Sequence, residues 1–94
     1  MPESRESFTE QPYIAPTGVH AAAVARIWAD VLDLDRVGGM DSFFDFAGTS
    51  INAVVVCGRV GDELGVQVAP EAIFERDVLN DFIASLNNRE TAAS

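Results

Sequence analysis

Apolar residues recur at three- and four-residue intervals in three separate stretches, and this pattern constrains the fold more than any other feature of the chain. Val24, Ile27, Trp28, Val31 and Leu32 form one stripe. Ala53, Cys57, Val60 and Leu64 form a second, with Val54 and Gly61 at its flanks, and Val78, Leu79, Phe82, Ile83 and Leu86 form a third. Such spacing puts each set on one face of a helix, and each face has to be buried against another. No strand alternation competes, because Val66-x-Val68 is too brief to count. The expected fold is all-α, a bundle of three main helices plus one short helix around a single core. The 94 residues make one domain burying roughly 60 to 65% of its unfolded surface. So small a core favours a binding or carrying role over an enzyme with its own pocket.

Punctuation residues set the expected boundaries. Residues 1–12 and 88–94 are polar, lack periodicity and read as flexible tails around a domain at 13–87. Pro16 biases Ala15 away from helix, so Tyr13-Ile14-Ala15-Pro16 is expected to dock in extended form. Thr17 is a cap candidate for a first helix over 18–34, although His20 stands where a capping box would carry Glu or Gln. The loop over 35–47 is expected to be pinned by Val37, Met40, Phe43, Phe44 and Phe46. A second helix runs from Ser50 to about Leu64 and ends at Gly65, a residue suited to the left-handed C′ position. Pro70 opens a short helix to Glu75 with Ile73 and Phe74 as its apolar contacts. Asp77 is placed to cap a last helix reaching about Leu86.

The net charge of −9 comes from fifteen acids against six arginines, with no lysine. Such a surface repels phosphate backbones and anionic membranes and favours basic protein partners, so neither nucleic acid nor membrane is expected as a partner. The single cysteine, Cys57, allows no internal disulfide and fits a reducing cytoplasm. Met1 to Glu10 lacks the basic start and apolar core of a secretory signal, and no apolar run is long enough to span a membrane. A calcium loop beginning at Asp33 fails, because Val37 and Phe44 would fall at ligand positions. No metal site and no catalytic residue are expected. His20, the only histidine, has no serine, cysteine or carboxylate at a spacing that would make it catalytic.

Chemistry concentrates in Asp41-Ser42-Phe43-Phe44-Asp45-Phe46-Ala47-Gly48-Thr49-Ser50-Ile51. Three aromatics bury a short turn, Gly48 frees the backbone for a left-handed turn or the close approach of another protein, and Ser50 arrives as a helix begins. A helix N-terminus offers unpaired N–H groups and partial positive charge, so a phosphoester on Ser50 would be well held. The plainer reading is that Thr49 or Ser50 simply caps the helix. The segment resembles the attachment motif of carrier proteins in nonribosomal peptide and polyketide synthesis, approximately Asp-x-Phe-Phe-x-Leu-Gly-Gly-(His/Asp)-Ser-Leu. Asp41, Phe43, Phe44, Gly48 and Ser50 match it, and the similarity runs from Pro12 through Ile27-Trp28 and Val31-Leu32 to Ala72-Ile73-Phe74-Glu75, favouring the peptidyl branch. Ala47, Thr49 and Ile51 depart from it at the first glycine, at the His/Asp position and at the leucine. The missing aspartate removes a carboxylate that would help hold a metal in a transferase complex, which bears on transferase preference rather than on attachment.

The resemblance implies an acyl-carrier-like bundle with 4′-phosphopantetheine covalently attached at Ser50, holding an aminoacyl or peptidyl group as a thioester in nonribosomal peptide or hybrid natural-product biosynthesis. It implies as partners a phosphopantetheinyl transferase, an adenylation enzyme or domain, and condensation, tailoring or thioesterase enzymes. The second helix is the family's main partner surface, which makes Thr49, Ile51, Val55 and Arg59 the partner-contact candidates. Val55 lies in the polar stripe of Asn52, Arg59 and Asp62, where the family often has a basic residue; it either faces outward or packs under the preceding loop. The short flanks read as a free-standing, monomeric cytoplasmic protein or an excised module. Two alternatives stand beside this: an acyl carrier of polyketide or fatty-acid synthesis, and a small helical adaptor whose patch around Ile51 and Val55 binds a partner without a prosthetic group.

Overall fold

Helix α1 (Ala21–Leu32) starts later than the expected residue 18 because Gly18 (φ 114°) and His20 (φ 67°) both adopt left-handed backbone that no α-helix accommodates. The structure, a computed structural model, describes residues 3–93, with side chains described to Leu86. Thr17 therefore caps nothing; its N–H donates to Asn80 Oδ1 at 3.0 Å. The helix stops at Leu32, where Asp33 turns left-handed (φ 57°, ψ 46°), Asp33 N–H bonds Asp30 O and Leu34 N–H bonds Ala29 O at 2.8 Å. These paired bonds satisfy carbonyls that the helix end would otherwise leave open.

Helix α2 (Ser50–Leu64) has the expected bounds and closes on Gly65 (φ 71°). Its buried face is Ala53, Val56, Cys57 and Val60. Val54, expected at the flank of that face, is instead 56% exposed, and Leu64 is only partly buried. At 100° per residue Val54 lies a quarter-turn from Ala53, whereas Val56 falls back within the stripe. Helix α3 (Glu71–Glu75) buries Ala72 and Ile73. Phe74, expected as a core contact, points outward.

Helix α4 (Leu79–Ala93) is not capped by Asp77 as expected. Its first donors, Leu79 N–H and Asn80 N–H, are taken by Asp41 O at 3.1 Å and Gly39 O at 2.8 Å. Asp77 instead joins loop to helix: its carboxylate accepts the Ser42 hydroxyl and its carbonyl accepts Phe43 N–H. Past Leu86 neither glycine nor proline interrupts the chain, so the expected tail over 88–94 is helical as far as Ala93; Ser94 lies outside the described residues.

Helix α1 packs chiefly on α2 and also on α4, and α3 packs on α4. Trp28, Phe43 and Phe82 form the centre of the core, with Trp28 meeting Phe43 edge-on at 5.0 Å and Phe82 tilted at 5.7 Å. Each such buried large side chain contributes about 1.5–3 kcal/mol. Among the described residues there is no strand, only isolated bridges at Glu3–Leu34 and Ser42–Val78. The fold is the all-α bundle of three main helices and one short one that the periodicity predicts.

The expected N-terminal tail behaves differently. Met1 and Pro2 lie outside the described residues, but Glu3 to Phe8 are docked: Arg5–Ser7 form a 3₁₀ turn, Glu3 bonds Asp33 and Asp35 backbone at 2.8 Å, and Arg5 is buried. Composition suggests a tail because the docking rests on charge pairs, backbone bonds and the single Phe8–Phe46 contact rather than on apolar periodicity. In the 35–47 loop Val37, Phe43 and Phe46 are buried as expected, whereas Met40 and Phe44 are exposed. Phe44 stacks on Phe74 outside the core, centroids 5.5 Å apart and rings 9° from parallel.

Candidate functional site

The turn that delivers Ser50 is built on the buried ring of Phe43. Gly48 lies flat against it and donates its N–H to Phe43 O at 3.2 Å; a Cβ on Gly48 would stand 2.6 Å from that carbonyl. Glycine is required here for close approach, not for a left-handed turn. The left-handed residue is Ala47 (φ 64°, ψ 25°), directly after the 3₁₀ turn Phe44–Phe46. Residue type alone suggests that freedom for Gly48; the geometry puts it one residue earlier, on a side chain that tolerates it poorly.

Thr49 is the N-cap, with extended backbone and a reciprocal capping box: Asn52 N–H donates to Thr49 Oγ1 at 3.1 Å and Thr49 N–H to Asn52 Oδ1 at 3.0 Å. Asn52 fills the role usually given to Glu or Gln. The box assigns capping to Thr49 and leaves Ser50, the first helical residue, exposed. The N–H groups of Ser50 and Ile51 have no intrahelical acceptor, and no acidic side chain stands in the first turn. This end of α2 is thus electropositive within a chain of charge −9. It fits a phosphodiester on the Ser50 hydroxyl. Among the described residues no group of three His, Cys, Asp or Glu is placed to hold a metal.

The partner-contact candidates separate. Ile51 is 75% exposed and Val55 44%, with Val54 between them, so Val55 faces outward rather than under the loop. Thr49 is exposed beside Ser50. Arg59 turns away: its guanidinium meets Glu63 at 3.1 Å and Asp30 of α1 at 3.4 Å. Glu63 also receives Arg26 of α1 at 2.6 Å. The Arg26 guanidinium, and then that of Arg59, hold the Glu63 carboxyl below the usual carboxylate range. Arg59 therefore ties α2 to α1.

Sequence reasoning missed the role of Arg5. Its guanidinium forks onto Asp41, Nε to Oδ2 at 2.5 Å and Nη2 to Oδ1 at 2.8 Å. The hydrogen bonds to Asp41 raise its pKa further, so it is cationic throughout the neutral range. A lone arginine among polar residues ahead of an aspartate-led aromatic motif was the available signal, and it carries no spacing rule.

Residues 22–86 match the family described as Phosphopantetheine attachment site. Malpinin synthetase of Mortierella alpina is 39% identical over 83 residues, covering 88% of this chain and 1% of that protein. From Malpinin synthetase to bacitracin synthase 2 of Bacillus licheniformis, the chain spans only 1 to 4% of the length of the curated synthetases it matches. Among solved structures, an active-site mutant peptidyl carrier protein superposes with TM-score 0.76 and 28% identity, covering 85% of this chain and 89% of that one. A chain from the structure of the phosphopantetheine transferase Sfp in complex with coenzyme A and a peptidyl carrier protein matches with TM-score 0.75 and 26% identity, covering 81% of this chain and 99% of that one. Among the described residues no helix is long and apolar enough to cross a membrane.

Proposed function

Because the chain belongs to the phosphopantetheine-attachment family, as a carrier domain of the nonribosomal peptide synthetase type, we propose that Ser50 takes the 4′-phosphopantetheine and that the domain is itself non-catalytic. The observation that carries the assignment is the exposed Ser50 hydroxyl on the first residue of α2, between unpaired N–H groups and a Thr49–Asn52 cap. Ser50 Oγ attacks the coenzyme A phosphorus that bears the pantetheine; the Oγ–P bond forms and the P–O bond to the adenosine 3′,5′-bisphosphate leaving group breaks. The serine proton goes to a base on the transferase. When bound, the group supplies a thiol that holds an aminoacyl or peptidyl unit as a thioester.

Ile51, Val54 and Val55 offer a shallow apolar face beside the attachment point, suited to brief contacts with successive enzymes. A phosphopantetheinyl transferase acts first, an adenylation enzyme loads the thiol, and condensation, tailoring or thioesterase enzymes follow. Tethering raises the effective concentration of the intermediate at each of them. A monomer in the cytoplasm, where coenzyme A is available, suits this work. The test is intact-mass measurement after incubation with coenzyme A, magnesium and a broad-specificity transferase, beside Ser50→Ala. One phosphopantetheine adduct is expected on the wild type and none on the variant. A folded wild type that takes no adduct from several transferases refutes the assignment and leaves the exposed apolar face as an adaptor's binding surface.

A further inference from the structure

The strap Glu3–Phe8 and the turn that presents Ser50 meet at one residue, Asp41. Its two carboxylate oxygens receive the Arg5 fork, and Oδ2 also receives Gly38 N–H at 2.7 Å. Its carbonyl accepts Leu79 N–H at the start of α4. Arg5 and Asp41 are both nearly inaccessible, 1% and 6% exposed. The same guanidinium donates to the carbonyls of Gln11 at 3.2 Å and Pro12 at 3.3 Å, and Arg5 N–H bonds Asp35 Oδ1 at 2.8 Å. One side chain thereby joins the strap, the extended segment before α1 and the first residue of the attachment motif. Around it Phe8 packs on Phe46 at 5.8 Å, and Arg36 lies 3.9 Å over the Tyr13 ring while pairing with Glu6 at 3.0 Å.

From Asp41 the constraint passes along a short stretch of chain. Phe43 N–H is held by Asp77 O, Gly48 N–H by Phe43 O, and Thr49 and Ser50 follow directly. Resting on the assignment of Ser50 as the attachment residue, we infer that Arg5 is a positioning residue for that modification, setting through Asp41 the loop surface that a transferase must grip before Ser50 reacts. A planar fork fixes the orientation of a carboxylate, which a lysine ammonium cannot do. Arg5 touches no reacting atom, so its loss acts on productive docking rather than on the chemical step.

The test is steady-state kinetics of coenzyme A-dependent modification of the full chain, read by intact mass with the carrier as varied substrate. Arg5→Met is expected to raise KM for the carrier about ten-fold, the size of one charge-assisted hydrogen bond, with kcat unchanged. Arg5→Lys should recover part of the loss, and Glu10→Gln, an exposed carboxylate of the same segment, should behave as wild type. Amide NMR should show Gly38 and Gly48 shifting in Arg5→Met while Ile27 and Phe82 stay in place. If Arg5→Met does not fold, the double variant Arg5→Met with Asp41→Asn removes the orphaned buried charge and should show the same KM rise. A folded variant with KM within two-fold of wild type overturns the inference, as does a fall in kcat matching the unfolded fraction. A wild type that takes no adduct instead refutes the Ser50 assignment beneath it.

Discussion

Ala47 and Gly48 are neighbours of nearly equal size, and exchanging their chemistries one at a time should move stability in opposite directions. At position 47 the backbone is left-handed and the side chain exposed. An L-residue there carries about 1–2 kcal/mol of strain, which Ala47→Gly relieves. Glycine's extra freedom in the unfolded chain returns roughly 0.5–1 kcal/mol of that, and almost no burial is lost. The expected net gain is about 0.5–1 kcal/mol, or a Tm rise of about 2–8 °C for a domain of this size. At position 48 the added Cβ would stand 2.5 Å from Phe43 Cε2 and 2.6 Å from Phe43 O. The ring has nowhere to go, being fully buried and edge-on to Trp28 at 5.0 Å. Overpacking costs about 1–3 kcal/mol, so Gly48→Ala should lower Tm by about 4–24 °C. Calorimetry or thermal circular dichroism on the two single variants suffices. If Ala47→Gly destabilises the protein, or Gly48→Ala leaves Tm unchanged, the account of this turn is wrong.

Other expectations follow from individual contacts. Thr49→Ala breaks the capping box and should cost about 1 kcal/mol in urea unfolding, while Thr49→Ser should keep most of it. The lowered pKa of Glu63 means that its pairs with Arg26 and Arg59 contribute above about pH 4.3 and are lost as pH falls through the lowered value. The drop in Tm on acidification should therefore be smaller in Glu63→Gln than in wild type, and equal drops would contradict it. Trp28 Nε1 is buried with no acceptor among the described residues. Trp28→Phe removes that orphan, worth about 1–3 kcal/mol, while opening a void. The net change in unfolding free energy should stay within about 1 kcal/mol, whereas Phe82→Ala should cost about 3–5 kcal/mol.

What was legible in the sequence is what helical periodicity and backbone punctuation encode. Val24, Ile27 and Trp28 of the first stripe and Leu79, Phe82, Ile83 and Leu86 of the third are buried as read, with Val31, Leu32 and Val78 half-buried at the ends, and Gly65 closes α2 as glycine does. Local spacing does not carry interactions made by single residues across long separations. Arg5 reaches Asp41 over 36 positions, and no rule for tails anticipates a buried guanidinium. Helical spacing puts Arg59 on the outer face of α2, but its side chain is long enough to follow the pull of Asp30 and Glu63. At the site, the Ser50 position followed from its motif. Which of Thr49 and Ser50 caps the helix depended on Asn52, whose amide answers Thr49 and leaves the serine outside the cap.

The burial of Cys57 has a bearing on how long a thioester survives. Thioesters are consumed by amines and by competing thiols, and a carrier's own surface is the nearest source of both. This sequence contains no lysine, and its one sulfhydryl is 5% exposed on the inner face of α2. On the carrier reading, the arm meets no lysine amine on its own domain, and the domain's thiol is packed away from it inside α2. The surface is chemically quiet toward its own cargo.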